Sequence, residues 1–419
     1  MNSLMTLSEA LADAEVFTDG DWVESKDQDP AGDVRLTQLA DVGDGHWIDK
    51  SARFLTSTKA AELKCTYLQQ GDLLVARMPD PLGRCCEFPG SPIPCVTVVD
   101  VCVIRPNHTK VVPRYLMHAI NSPLGRRGIG RHVTGTTRKR ISRKNLAKIQ
   151  IPLPPLAEQE RIAGILDAAD ALRAQRREAL AQLDTLLQST FLDMFGDPAT
   201  NPMQWERCEF GDHIEHLGDY HSNGSYKILK EHVELKSSAD FALMIRTTDL
   251  ETGTFDESNK YISQDAYNFL ERSKVFGGEI IINKIGSAGK VYLMPFLNRP
   301  VSLGMNAFLI RTKSPVNNLF AYFYLKSTFG EKEIKKRVKG AVTKTIRKDA
   351  VREIPFFWPS NETQEFFASI VESVEQQKAR MRTHLEELDT LFASLQSRAF
   401  NGELGIGTEG QQELEGMLG

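Results

Sequence analysis

No stretch of the 419-residue chain approaches the roughly 18 uncharged apolar residues of a membrane span, so no transmembrane helix is expected. Cysteine is scarce and unpatterned. There are six, none in a Cys-x-x-Cys pair; Cys85 and Cys86 are adjacent and the rest are scattered. Neither a zinc finger nor a disulfide framework is expected, and the thiols are read as reduced, in a cytoplasmic protein. The start, MNSLMTLSEALADAE, has Glu9 and Asp13 where a secretory leader would have a basic end and an apolar run, so no signal peptide is expected.

Catalytic signatures are also missing. The chain has no Asn/Asp-Pro-Pro-Tyr/Phe motif for amino methylation and no Gly-x-Gly dinucleotide fingerprint after a strand. GSAGK (286–290) resembles part of a phosphate loop, but Lys284 stands where the first Gly belongs and Val291 where Ser/Thr belongs. Glu62-Leu-Lys64 and Glu234-Leu-Lys236 resemble half of a nuclease signature without its upstream acid. His213, His216 and His221 have no Cys or carboxylate spacing to complete a metal site, and none is expected.

What is present is unevenly distributed charge. The formal net charge is −4, yet residues 126–148 hold nine Lys or Arg and no acid. Residues 331–353, 205 positions later, hold nine against four acids. Basic patches on an otherwise acidic chain are the footprint of a polyanion site.

The common offset reflects a duplication. Residues 134–197 laid on 339–402 without gaps agree at 18 of 64 positions, among them Gly135/Gly340, Lys139/Lys344, Ile141/Ile346, Gln159/Gln364, the LDTL of 183–186 and 388–391, and Phe195/Phe400. Upstream, GDLLVAR (71–77) matches GEIIINK (278–284), and DVCVIR (100–105) matches NAFLIR (306–311). Each half therefore reads as a variable α/β domain followed by a long helix. The expected segments are a first α/β domain at 1–150, a linker and long helix at 151–196, a second α/β domain at 197–358, a second long helix at 359–402 and a tail at 403–419.

The helical reading rests on periodicity. After IPLPP (151–155), apolar residues recur at three- and four-residue spacing from about Ala157 to Leu192, including Ile162, Leu166, Leu180, Leu183, Leu186 and Leu187. The second stripe, from about Glu362 to Ala399, includes Phe367, Ile370, Val374, Leu385, Leu388 and Leu391. Helices this long expose an apolar stripe unless they are paired. The expected partner of each is its repeat, as an antiparallel coiled coil with pseudo-two-fold symmetry; the alternative is that each stripe packs only on its own head. In each head, a strand exits on a cation, Arg77 or Lys284, followed by Gly83-Arg84 or Gly289-Lys290. The heads end in TGTTRKRISRKN (134–145) and KGAVTKTIRKDA (339–350). Small, Thr-rich, basic segments recurring at one place suit phosphates and base edges. The DNA-contact candidates are Arg77, Arg84, Thr136, Thr137, Arg138, Lys139, Arg140, Arg143 and Lys144 in the first half. In the second they are Lys284, Ser287, Lys290, Asn306, Thr343, Lys344, Thr345, Arg347 and Lys348.

Together these features resemble the specificity subunit of type I restriction-modification enzymes. The resemblance spans nearly the whole chain. It is carried by IPLPPLAEQ-x-x-I (151–162) and its echo IPFFWPSNETQ-x-x-F (354–367), the paired LDTL helices, the GDLLVAR and GEIIINK strands, and DGDWVESKD (19–27), VRLTQLADVGDG (34–45) and ARMPDPLGR (76–84). It implies a non-catalytic subunit whose two heads each read one half of a split, asymmetric double-stranded DNA target, with the helices fixing the gap. It also implies two methyltransferase subunits that use S-adenosylmethionine on adenine, and ATP- and magnesium-dependent motor-nuclease subunits, with no cofactor held by this chain. The second linker departs from the pattern, reading PFFWPS in place of PLPP. A stand-alone DNA-cleaving enzyme with duplicated recognition domains, and a coiled-coil adaptor between protein partners, remain open.

Overall fold

A computed structural model describes residues 4–255 and 259–404. Most of the expected tail, from 405 to 419, lies outside the described residues. The chain divides into two compact units. One holds the residues up to Arg177 together with those from Thr383; the other is Glu178–Arg382.

The first unit is built on a four-stranded antiparallel sheet in the order Val16–Asp19, Val101–Arg105, Leu73–Ala76, Cys85–Glu87. The Leu73–Ala76 strand is buried at all four positions, because both faces of the sheet are covered. Leu73 and Val75 face a core with Tyr115 and Ile120, while Leu74 and Ala76 face another with Phe88 and Val103. This is the alternation a strand imposes. A second sheet orders Phe54–Leu55, Val34–Thr37 and Cys95–Thr97, the last pair parallel. Leu4–Thr6 pairs with Gln150–Pro152 just before the first long helix. The six cysteines are free thiols, and Cys85 and Cys102 lie within the first core.

The second unit repeats the plan. Its main sheet orders Ile214–Asp219, Ala307–Thr312, Ile280–Asn283, Val291–Leu293, and Ile280 and Ile282 face one core while Ile281 faces another. Its second sheet orders Lys260–Ile262, Ala242–Ile245, Val301–Leu303 and an additional strand, Lys274–Val275. Glu206–Glu209 pairs with Pro355–Trp358 ahead of the second long helix.

The long helices are Leu156–Phe195 and Asn361–Asn401. Each begins at a duplicated clamp. The Gln159 side chain accepts from Val112 N–H at 2.9 Å and donates to the Pro154 carbonyl at 2.8 Å. Gln364, 205 residues on, accepts from Asn317 N–H at 2.9 Å and donates to the Pro359 carbonyl at 3.0 Å. Both glutamines are buried. The loss of PLPP from the second linker therefore leaves this junction unchanged.

Within the first unit the two helices run antiparallel. Arg161 donates to the Leu404 carbonyl, and Arg173 pairs with Asp389 at 2.6 Å while lying over the Phe392 ring. Within the second unit, Lys378 pairs with Asp184 at 2.6 Å and Phe367 packs edge-on against Phe195. The expected stripe is only partly buried. Ile162, Leu166, Leu187, Phe367, Val374 and Leu388 are buried, whereas Leu180, Leu183, Ile370, Leu385 and Leu391 are half-buried. Leu186 is a correction: it is 51% exposed, one position off the buried Leu187. Each helix packs on its repeat and, toward its two ends, on one head and then the other, so the alternative of a stripe packed only on its own head does not hold. Phe400 packs against Tyr115, and Phe195 against Phe320, which is Tyr115 displaced by 205.

Candidate nucleic-acid interface

The two basic segments form the same hairpin. Thr134 and Arg140 exchange backbone hydrogen bonds at 2.9 Å, and Lys339 and Thr345 do so at 2.8 Å. The hairpins need their glycines. Gly135 has φ +88° and Gly340 φ +106°. A Cβ would stand 2.4 Å from the Arg138 carbonyl oxygen in the first and 2.1 Å from that of Thr343 in the second. Thr136, Thr137, Arg138, Lys139 and Arg140 are exposed, as are Thr343 and Lys344; Thr345 is half-buried where the hairpin closes. Among the described residues no acid lies within ion-pair distance of Arg138, Lys139, Arg140, Lys144, Lys344 or Arg347.

The base of each hairpin is fixed to the main sheet. Ile141 N–H donates to the Arg77 carbonyl and Ile346 N–H to the Lys284 carbonyl, both at 3.0 Å. Those cations do not reach outward. Arg77 pairs with Asp19 at 2.6 Å and donates to the carbonyls of Val99 and Ile141. Arg143 reaches the same Asp19 at 3.8 Å and donates to the Phe17 carbonyl. In the second unit Lys284 and Lys348 hold Asp219 at 3.0 and 3.1 Å. Burial opposes the charge on Asp219, but Ser222 and the two lysines outweigh it and hold its carboxyl down at about 2. Each acid ends the strand beside the hairpin, so one carboxylate and two cations anchor each loop. Arg77, Arg143, Lys284 and Lys348, all expected at DNA, thus each hold a carboxylate at the base of a hairpin.

Three further candidates are redirected. Arg84 is 8% exposed and donates to the carbonyls of Leu39 and Val42, so it braces the loop beneath it. Ser287 and Lys290 engage Glu251, at 2.5 and 3.1 Å, and with their help its carboxyl sits below the usual range. The phosphate-loop-like turn therefore holds a carboxylate. Asn306 is exposed at φ +73°, and its carbonyl accepts from Lys284 N–H. Of the histidines singled out, His213 stacks on Trp358 and His216 bonds the Arg272 carbonyl. Among the described residues no three metal-ligating side chains cluster. The sequence reading missed Asp19 and Asp219, because they lie 200 residues apart and fall out of the 205-residue register. Their signal was an acid closing a β-rich run, VFTD and IEHLGD, in each half.

The chain is thus a duplicated α/β protein presenting one anchored basic hairpin per unit. A family model for the type I restriction modification DNA specificity domain matches residues 17–182 and 216–390, and the chain belongs to that family as a non-catalytic specificity subunit with two recognition domains. It is 20% identical over 380 residues to a putative type I restriction enzyme MjaX specificity subunit of Methanocaldococcus jannaschii, covering 89% of this chain and 88% of that protein. It is 23% identical over 331 residues to the type I restriction enzyme EcoBI specificity subunit of Escherichia coli, covering 73% and 68%. The fold matches the crystal structure of the type I restriction-modification S subunit from M. genitalium, with TM-score 0.53, 15% identity and 95% and 96% coverage. It also matches a chain solved in work on complex assembly and conformational transition of the type I R-M system, with TM-score 0.54, 16% identity and 96% and 98% coverage. No helix among the described residues is long and apolar enough to cross a membrane.

Proposed function

We propose that the heads, residues 1–150 and 197–358, each read one half of a bipartite double-stranded DNA target, and that the long helices between and after them set the gap. The contacts are assigned to Thr136, Thr137, Arg138, Lys139, Arg140 and Lys144 in the first head and to Asn306, Thr343, Lys344 and Arg347 in the second. The observation that carries this reading is the same exposed, acid-free hairpin, in the same register, on the same three-residue anchor in both units. A hairpin is narrow enough for the major groove, and unpaired cations on it release counterions when they meet phosphates. Two moderate sites on one chain bind together at high effective concentration.

In this reading the subunit works in the cytoplasm with two methyltransferase subunits, which supply S-adenosylmethionine chemistry on adenine, and with ATP- and magnesium-dependent motor-nuclease subunits. The test is a single-molecule map of methylated adenine in cells expressing this chain with its neighbouring methyltransferase, against cells lacking the chain. A chain-dependent motif of a few bases, a fixed gap and a few bases is expected. Methylation that does not depend on the chain, by a methyltransferase shown to be active, would overturn the reading.

A further inference from the structure

Laid in register, the hairpins read TGTTRKR (134–140) and KGAVTKT (339–345). They agree at two positions only. Gly135/Gly340 is explained by the backbone, since neither turn leaves room for a Cβ. Lys139/Lys344 has no such structural reason: both lysines are exposed and without an acid partner among the described residues. Every other tip position differs: Thr136 against Ala341, Thr137 against Val342, Arg138 against Thr343.

Two heads that read different bases share a phosphate backbone and differ in base edges. What the repeats keep should therefore serve the backbone, and what they change should serve the bases. Lysine, a point charge on a flexible stem, suits the first task. Val342 is the sharpest case of the second. It is 99% exposed, the most exposed of the large apolar residues among those described, and it stands at a tip otherwise suited to water and anions. It contributes nothing to the core. The base-edge feature that matches an isopropyl group is the thymine methyl in the major groove. At the equivalent place the first head has Thr137 beside Arg138, a pair equipped for hydrogen bonds to bases.

We propose that Lys139 and Lys344 grip phosphate irrespective of sequence, that residues 136–138 and 341–343 read bases, and that Val342 does so through a thymine methyl group in the second half-site. This rests on the DNA-reading function above.

The test uses the full chain with its methyltransferase, on duplexes carrying the mapped motif, with deoxyuridine replacing thymidine at each position of the second half-site in turn. One replacement should weaken the wild type about three- to tenfold, as loss of one buried methyl contact does. The same replacement should leave Val342→Ala unaffected. Lys344→Ala should weaken matched and mismatched duplexes by one factor and reduce the salt slope of binding by about 1. A bipartite motif whose every uracil replacement costs Val342→Ala as much as wild type would overturn the assignment of Val342 and leave the DNA-reading function standing. A change of base preference in Lys344→Ala would overturn the division of labour. Absence of any motif would remove both.

Discussion

At the scale of single residues, sequence could not separate a basic side chain that waits for an anion from one already committed. Arg84 and Arg138 look alike in a sequence, each a cation close after a glycine. Arg84 is claimed by carbonyls of Leu39 and Val42, more than 40 residues earlier, and that proximity exists only once the sheets are stacked. The committed cations still matter, and the Asp219 anchor gives a measurable case. Its carboxyl titrates near 2 in the fold against 3.8 ordinarily, so its charge stabilises the folded state by about 2 kcal/mol at neutral pH. Because the folded value is the lower one, this stabilisation is full above the ordinary value and lost as pH falls towards about 2. Asp219→Asn should therefore lower stability at pH 7 by about that amount, measured by denaturant unfolding. The gap to wild type should shrink to about half by pH 3. A pH-independent gap would mean the charge is not what Asp219 contributes.

At the scale of elements, the duplication made the long helices and the two basic segments legible, because a pattern seen twice in one register is hard to produce by chance; that each segment closes as a hairpin was not legible. The helix limits, Leu156–Phe195 and Asn361–Asn401, extend the expected spans by one to three residues at each end. What each helix packs on was not legible. Phe195 ends the first helix, yet it is buried in the second unit among Phe191, Phe320 and Phe367, with ring centroids 4.7–5.4 Å away. Its sequence equivalent Phe400 is buried in the first unit against Tyr115. Periodicity reports that a face is apolar and not which surface meets it. Phe195→Ala should cost the second unit about 3–5 kcal/mol. The loss should appear in hydrogen exchange as weaker protection of Asn318–Lys326 with Pro113–Asn121 unchanged. Equal loss in both segments would show that the phenylalanine holds the chain together more generally than its contacts indicate.

At the scale of the whole molecule, the repeat implies that each recognition domain is a replaceable part, provided the graft keeps the surface on which the helix ends rest. For the first head that surface is specific. Gln159 needs the Val112 N–H, and Leu395, Ala399 and Phe400 need the Tyr115–Leu116 side of the Pro113–Asn121 helix. A hybrid that takes residues 1–150 from a relative with a different target, while retaining those contact positions, should fold and methylate with its partner. Its methylome should show a new first half-site with the second half-site unchanged. The anchored hairpin of the second unit is held by Asp219, Lys284, Ser222 and Lys348, all within Glu178–Arg382, so the graft replaces none of these supports. A hybrid that altered both half-sites would mean that base choice is set jointly by the two domains, and the independence implied by the duplicated anchors would be wrong.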